Sequence, residues 1–192
     1  MEKPTEKSDL EMIQAYVGGD ESAFEHLLCR YKSKLYTFIL LQVRDAYLAE
    51  DIFQETFIKV IDGLRSGKYS DQGKFISWVG RIAQNVVVDH FRREKRGSVA
   101  VDGYGSMLDF PDESAESKIL HQQRDVGLRK IVQMLPDEQK EVLLMRYFCG
   151  MSFKDIASAT GVGINTALGR MRYAINNMRR MIEKYNVVLD IG

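Results

Sequence analysis

The chain has 192 residues, 45% of them hydrophobic and 28% charged, and its 27 basic side chains balance 27 acidic ones. That is the composition of an ordinary soluble chain of one or two domains, with no apolar run of membrane-spanning length. Residues 1–9 are too polar for a secretory leader and Cys29 and Cys149 stand far apart, which excludes a disulfide framework, so a cytoplasmic protein without membrane insertion is expected.

Helical periodicity runs through nearly the whole chain, and no strand pattern interrupts it. The first helical block covers about residues 10–96. Asp20-Glu21-Ser22 opens a helix that carries Ala23, Phe24, Leu27, Leu28, Tyr31, Leu35, Tyr36 and Phe38. A second helix over about 47–64 buries Leu48, Ile52, Phe53, Phe57, Val60, Ile61 and Leu64, and leaves Asp51, Gln54, Glu55 and Asp62 as a polar, mostly acidic face. That face is a docking surface or simply a solvated side. The loop RSGKYSDQGKF follows at 65–75, with bases, glycines and an aromatic.

A third helix is expected from about Lys74 to Arg96. Phe75, Trp78, Val79, Ile82 and Val86 face inward, Trp78 as core in preference to a base-stacking wedge. Arg81, Asn85, Asp89 and Arg92 line another face, and Arg92, Arg93, Lys95 and Arg96 gather at the end. Bases there suit the helix dipole, and Asp89 can pair with a neighbouring arginine, so the cluster reads as nucleic-acid contact or as local electrostatics.

Residues 97–114 carry Asp102, Asp109, Asp112 and Glu113 without a single Lys or Arg, with no periodicity and with Pro111, and read as a linker. A second helical block runs over about 115–185, ending in a short tail at 187–192. Net neutrality therefore conceals local polarity: between 161 and 185 five bases (Arg170, Arg172, Arg179, Arg180, Lys184) face one acid, Glu183.

Within the second block, SFKDIASATGVGINTALGRMRYAINNMRR at 152–180 has the order of a helix-turn-helix. Ser152 caps a short helix with Asp155 in its first turn, and Phe153, Ile156, Ala157 and Thr160 share one face. Gly161 supplies a left-handed stop. A longer helix starts near Gly163 or Ile164, with Ala167, Met171, Ala174, Ile175 and Met178 as its buried stripe. Asn165, Thr166, Leu168, Gly169 and Arg172 lie largely off that stripe, where amide, hydroxyl and guanidinium groups suit base edges and phosphates. An ordinary helical hairpin with a solvated arginine face is the alternative.

Enzyme readings find little. Asp51 and Glu55 have no Glu-x-x-His companion, His26, His90 and His121 are scattered, no P-loop is present, and Gly161-x-Gly163 lacks the third glycine of a dinucleotide fingerprint. No cofactor and no metal are expected.

AEDIFQETFIKV at 49–60 followed by FISWVGRIAQNVVVDHFRREKR at 75–96 resembles the second conserved region of bacterial sigma factors. LPDEQKEVLLMRYFCGMSFKDIASATGVGINTALGRMRYAI at 135–175 resembles their fourth, and the third region is replaced by the linker. The arrangement is similar to that of an extracytoplasmic-function (ECF) sigma factor. The resemblance implies an all-α chain with a region 2 domain at 1–96, a flexible linker at 97–114 and a region 4 domain with a helix-turn-helix at 115–192. It implies a non-catalytic factor that binds core RNA polymerase, at the β′ clamp coiled coil and the β flap, recognises −10 and −35 promoter elements, and is controlled by an anti-sigma factor.

By the same resemblance Asp51, Gln54, Glu55 and Ile58 meet β′. Lys68, Tyr69, Lys74, Phe75, Arg81, Asn85, Arg92 and Arg93 meet the opened −10 strand, and Asn165, Thr166, Leu168, Gly169, Arg170, Arg172 and Arg179 meet the −35 duplex. Melting needs a polar pocket for an extruded base and cations along the strand, which Asn85 and the arginines suit. The chain departs from the family pattern at Gly163, where a Ser or Thr caps the recognition helix, at Leu168, where Lys is common, and at Tyr173, where Arg is common. The rival is a stand-alone helix-turn-helix regulator, which needs no Asp51–Gln54 surface.

Overall fold

A computed structural model describes residues 7–70, 73–97 and 127–186, and every regular element among them is an α-helix. The expected linker beyond Gly97, His121, the side chains of Lys95 and Arg96, and the tail at 187–192 lie outside the described residues. Helices α1 (Asp9–Val17), α2 (Glu21–Val43), α3 (Ala46–Arg65) and α4 (Phe75–Gly97) form one compact unit. The helical stretch at 127–133 (α5), α6 (Asp137–Phe148), α7 (Phe153–Thr160) and α8 (Ile164–Lys184) belong to a second.

The caps explain where the first helices begin. Asp20 accepts a hydrogen bond from the Ser22 backbone N–H at 3.1 Å, and Asp45 accepts one from Leu48 at 2.8 Å. Each satisfies an orphan donor at a helix start and puts a carboxylate at the positive end of the dipole. α1 itself is an addition to the sequence reading. Ser8 and Glu11 close a reciprocal capping box, and Asp9 then ties α1 to α2 by accepting from Arg30 at 2.7 Å and from the Tyr31 hydroxyl. Burial, then the Asp9 carboxylate, pushes the Tyr31 phenol well above its ordinary range.

α2 packs on α1, α3 and α4, and α3 packs on α4. Leu27, Leu35, Phe38 and Ile39 of α2, Ile52, Phe57, Val60 and Leu64 of α3, and Phe75, Val79, Ala83 and Val86 of α4 make the common core. Burying each large side chain stabilises the fold by about 1.5–3 kcal/mol before entropy is counted. An aromatic chain runs through this core to the loop: Tyr31 and Phe75 at 5.8 Å, Phe75 and Tyr69 at 5.7 Å, Tyr69 and Trp78 at 4.8 Å between ring centroids. Gly63 lets Trp78 lie against α3, because a Cβ there would meet the indole Cζ2 at 2.7 Å.

The second unit is built on smaller contacts. Ile131, Leu135, Met145, Met151, Ile156, Ala167 and Ala174 are buried, and α7 packs on α8 through its Ile156–Ala157 face. Ser152 and Asp155 form the expected cap as a full capping box, and Gly161 ends α7 at φ 69° in the left-handed region. Gly163 caps α8 without a side-chain hydrogen bond. One residue departs from its predicted stripe: Ile175 is 37% exposed, because it sits at the edge of the face that Ala167 and Ala174 bury.

Candidate polymerase and nucleic-acid interfaces

Three surfaces emerge from these helices. On α3, Asp51, Gln54 and Ile58 are exposed and Glu55 is half-buried. Gln54 donates to Glu50 at 3.2 Å, and Glu55 sits 3.3 Å from the Lys59 ammonium and 3.9 Å from the Arg93 guanidinium. Exposed ion pairs of this kind contribute at most about 1 kcal/mol, so a partner can exchange them readily. Asp51 has no hydrogen bond or ion pair from another side chain among the described residues, which leaves a bare carboxylate in the middle of the face.

Between α3 and α4 lies a groove of about 480 Å³, lined by Lys59, Asp62, Gly63, Lys68, Trp78, Ile82, Asn85, Val86 and Asp89. That volume is typical of clefts for small flat ligands. One wall is apolar, from Trp78, Ile82 and Val86. The rim carries two ammonium groups, two carboxylates and the Asn85 amide. An aromatic wall beside convergent donors and acceptors is what stacking and edge recognition of an unpaired base require.

The third surface is α8. With 3.6 residues per turn, Arg179, Arg172, Asn165 and Asn176 fall within about 60° of one another, opposite the buried Ala167 and Ala174. All four are exposed. Arg172 lies 5.6 Å from the centre of the exposed Tyr173 ring. Two guanidinium groups and two amides on one outward helix face present the donor and acceptor chemistry that suits a DNA groove.

Two sequence comparisons decide the family. A family model of Sigma-70 region 2 matches residues 26–97, and one of Sigma-70 region 4 matches residues 126–168. The RNA polymerase sigma-H factor of Pseudomonas aeruginosa is 29% identical over 190 residues, covering 94% of each chain. The ECF RNA polymerase sigma factor BldN of Streptomyces coelicolor is 29% identical over 189 residues, 94% of this chain and 69% of that one. The chain belongs to the ECF sigma factors.

The fold agrees. The sigma factor RpoE of Bartonella quintana, solved with the anti-sigma factor NepR, superposes with a TM-score of 0.63 at 20% identity over 83% of this chain and 96% of that one. CnrH, solved with the cytosolic domain of CnrY, gives 0.61 at 19% identity over 93% and 99%. As a sigma factor the chain has core RNA polymerase and promoter DNA as its partners.

Within this sigma factor the residues predicted for the −10 strand do not stay together. Lys68 and Asn85 meet in the groove, whereas Arg81, Arg92 and Arg93 lie exposed on α4 outside its lining. Arg92 stands 3.7 Å from Asp89, the predicted local pairing. Lys74 is exposed at the start of α4. Phe75 needs correction as a strand contact: it is only 2% exposed and is enclosed by Tyr31, Tyr69 and Trp78. Tyr69 is half-buried behind Trp78, so both aromatics support the groove wall from behind.

The sequence reading missed Lys59 and Asp62 as rim residues and preferred Trp78 as core to a base-stacking wedge. Trp78 is half-buried, with packing on one side and groove on the other. On α8, Asn165, Thr166, Leu168 and Arg172 are exposed, and Gly169 has open space where a Cβ would stand. Arg170 turns the other way. Its guanidinium is 2.8 Å from Glu138 on α6 and its side chain is 19% accessible. Nearby, burial pushes the Glu141 carboxyl above its usual range, with Arg170 opposing. Asn177 donates to Gln139 at 2.8 Å on the same side. Asn176, which completes the outward row, was not singled out in the sequence.

Among the described residues no group of three or more His, Cys, Asp or Glu is arranged to hold a metal ion, and no helix is long and apolar enough to cross a membrane.

Proposed function

We propose that residues 1–96 act as a region 2 domain that docks core polymerase and captures an opened −10 strand, and residues 115–192 as a region 4 domain that holds the −35 duplex, with 97–114 as a flexible tether. Asp51, Gln54, Glu55 and Ile58 on α3 carry the docking to the β′ clamp coiled coil. Lys68 and Asn85 receive an extruded base against Trp78, while Lys74, Arg81, Arg92 and Arg93 hold its backbone. The observation that carries this reading is the groove itself, with an aromatic wall, Lys68 and Asn85 on one cavity.

On α8, Asn165, Thr166, Leu168, Gly169, Arg172 and Arg179 approach the −35 groove, with Asn176 in the same row. Arg170 fixes α8 on α6 through Glu138 and thereby positions these residues. The factor supplies no chemistry of its own, works in the cytoplasm, and is restrained by an anti-sigma factor that covers its docking and DNA faces. The likeness to a sigma factor solved with its anti-sigma factor supports that restraint.

Capture of core polymerase by the purified chain, followed by run-off transcription from DNA selected by the holoenzyme, tests the proposal. Stable holoenzyme and discrete promoter-dependent transcripts are expected. No binding to core in the absence of any inhibitory partner contradicts it.

A further inference from the structure

Tyr47 stands near the start of α3 with 88% of its surface exposed, more than any other large hydrophobic residue described. Among the described residues no hydrogen bond, ring contact or ion pair engages it. A single exposed apolar side chain on a protein surface is ordinary and needs no explanation. Its position on the helix is what distinguishes this one. Tyr47, Asp51, Gln54 and Ile58 recur at i, i+4, i+7 and i+11, and so lie within about 60° of one another on the same ridge. Ile58, at the far end, is 60% exposed.

The ridge thus has an apolar anchor at each end, about 16 Å apart at 1.5 Å per residue. Between them stand the unpartnered Asp51 and the amide of Gln54, flanked by Glu50 and Glu55. An exposed tyrosine is a favoured hot-spot residue, because it buries a large rigid ring at little conformational cost and accepts a cation over its face. The acidic centre selects a basic partner by charge complementarity.

We infer that Tyr47 is an aromatic anchor of the α3 docking ridge against core polymerase. The inference rests on the reading of α3 as the polymerase face and adds a residue to it. Tyr47 lies one turn before Asp51, so it lengthens the contact toward the start of α3. The ring packs on an apolar side chain of the partner, with an arginine or lysine drawn by the acidic ridge over its face.

Titration of core polymerase with the fluorescently labelled full-length chain tests this, using Tyr47→Ala, Tyr47→Phe and Asp51→Ala. Tyr47→Ala is expected to weaken binding about ten-fold and Tyr47→Phe to stay within about two-fold of wild type, since the ring supplies the contact. All three should melt like wild type, because both positions are exposed and leave the core intact. Tyr47→Ala with unchanged affinity, beside a weakened Asp51→Ala, overturns the role of Tyr47 and leaves the α3 reading standing. Unchanged affinity in both overturns the α3 reading itself. A photoreactive p-benzoylphenylalanine at 47 should attach to the largest polymerase subunit in the holoenzyme; attachment to no core subunit overturns the inference as well.

Discussion

The two surfaces proposed to meet nucleic acid have opposite architectures. The α3–α4 surface is concave: a groove walled by Trp78, which is held by Gly63 behind it and by the Tyr69–Phe75–Tyr31 aromatic chain beneath. The α8 surface is convex: a row of exposed side chains on a helix whose buried face is mostly alanine and methionine. A concave site suits a single base taken out of its stack, and a convex helix suits the open groove of an intact duplex. On the proposed reading, large aromatic packing backs the concave surface that receives the base. The other surface needs only a straight rod set at a fixed angle, which the capping box at Ser152, Gly161 and the Arg170–Glu138 pair provide.

The largest expected effect breaks the first architecture. Phe75→Ala should destabilise the chain by about 3–5 kcal/mol in urea unfolding, since it empties the centre of the aromatic chain. A strand contact alone would leave stability unchanged. Next, Asn85→Ala and Arg172→Ala should each cost about 1–3 kcal/mol in holoenzyme affinity for promoter DNA. Binding series on fork-junction and fully duplex probes should separate them, Asn85→Ala failing on the former and Arg172→Ala on the latter.

Ser152→Ala should cost about 1 kcal/mol by removing the cap of α7, and it should leave fork-junction strand capture intact. Gly169→Ala sharpens the convex site. It should stabilise α8 by up to about 1 kcal/mol, because a methyl there meets nothing, yet weaken duplex binding if the backbone comes close to DNA. The smallest effect is at α1. Hydrogen bonds from Ser8 hold the Glu11 carboxyl below its usual range, so the cap contributes stability above the unfolded pKa and loses it as pH falls through the lower folded one. Amide protection factors at residues 11–13, exchange rates taken relative to their intrinsic values, should fall below about pH 4 and stay level between pH 6 and 8.

Much of this was legible in the sequence. The helical stripes of α2, α3, α4 and α7, the cap at Ser152 and the stop at Gly161 follow from spacing and capping chemistry that act locally. The misses are tertiary. Phe75 faces inward by its spacing and is assigned to the strand by resemblance, and only its enclosure by Tyr31, Tyr69 and Trp78 decides between the two. Arg170 lies off the apolar stripe, but Glu138 of α6 claims it. The ridge position of Tyr47 was readable from its four-residue offset to Asp51; its exposure was not. α1 carried a legible Ser-x-x-Glu cap that a polar N-terminal stretch obscured.

The division of labour between the two heads is tested most directly by permanganate reactivity and nuclease footprinting of one holoenzyme–promoter complex, with Asn85→Ala and Arg172→Ala side by side. Asn85→Ala should lose reactive thymines around −10 and keep upstream duplex protection. Arg172→Ala should lose upstream protection first and keep melting on a template already opened at −10. Equal loss of both signals in both variants would contradict separate single-strand and duplex heads.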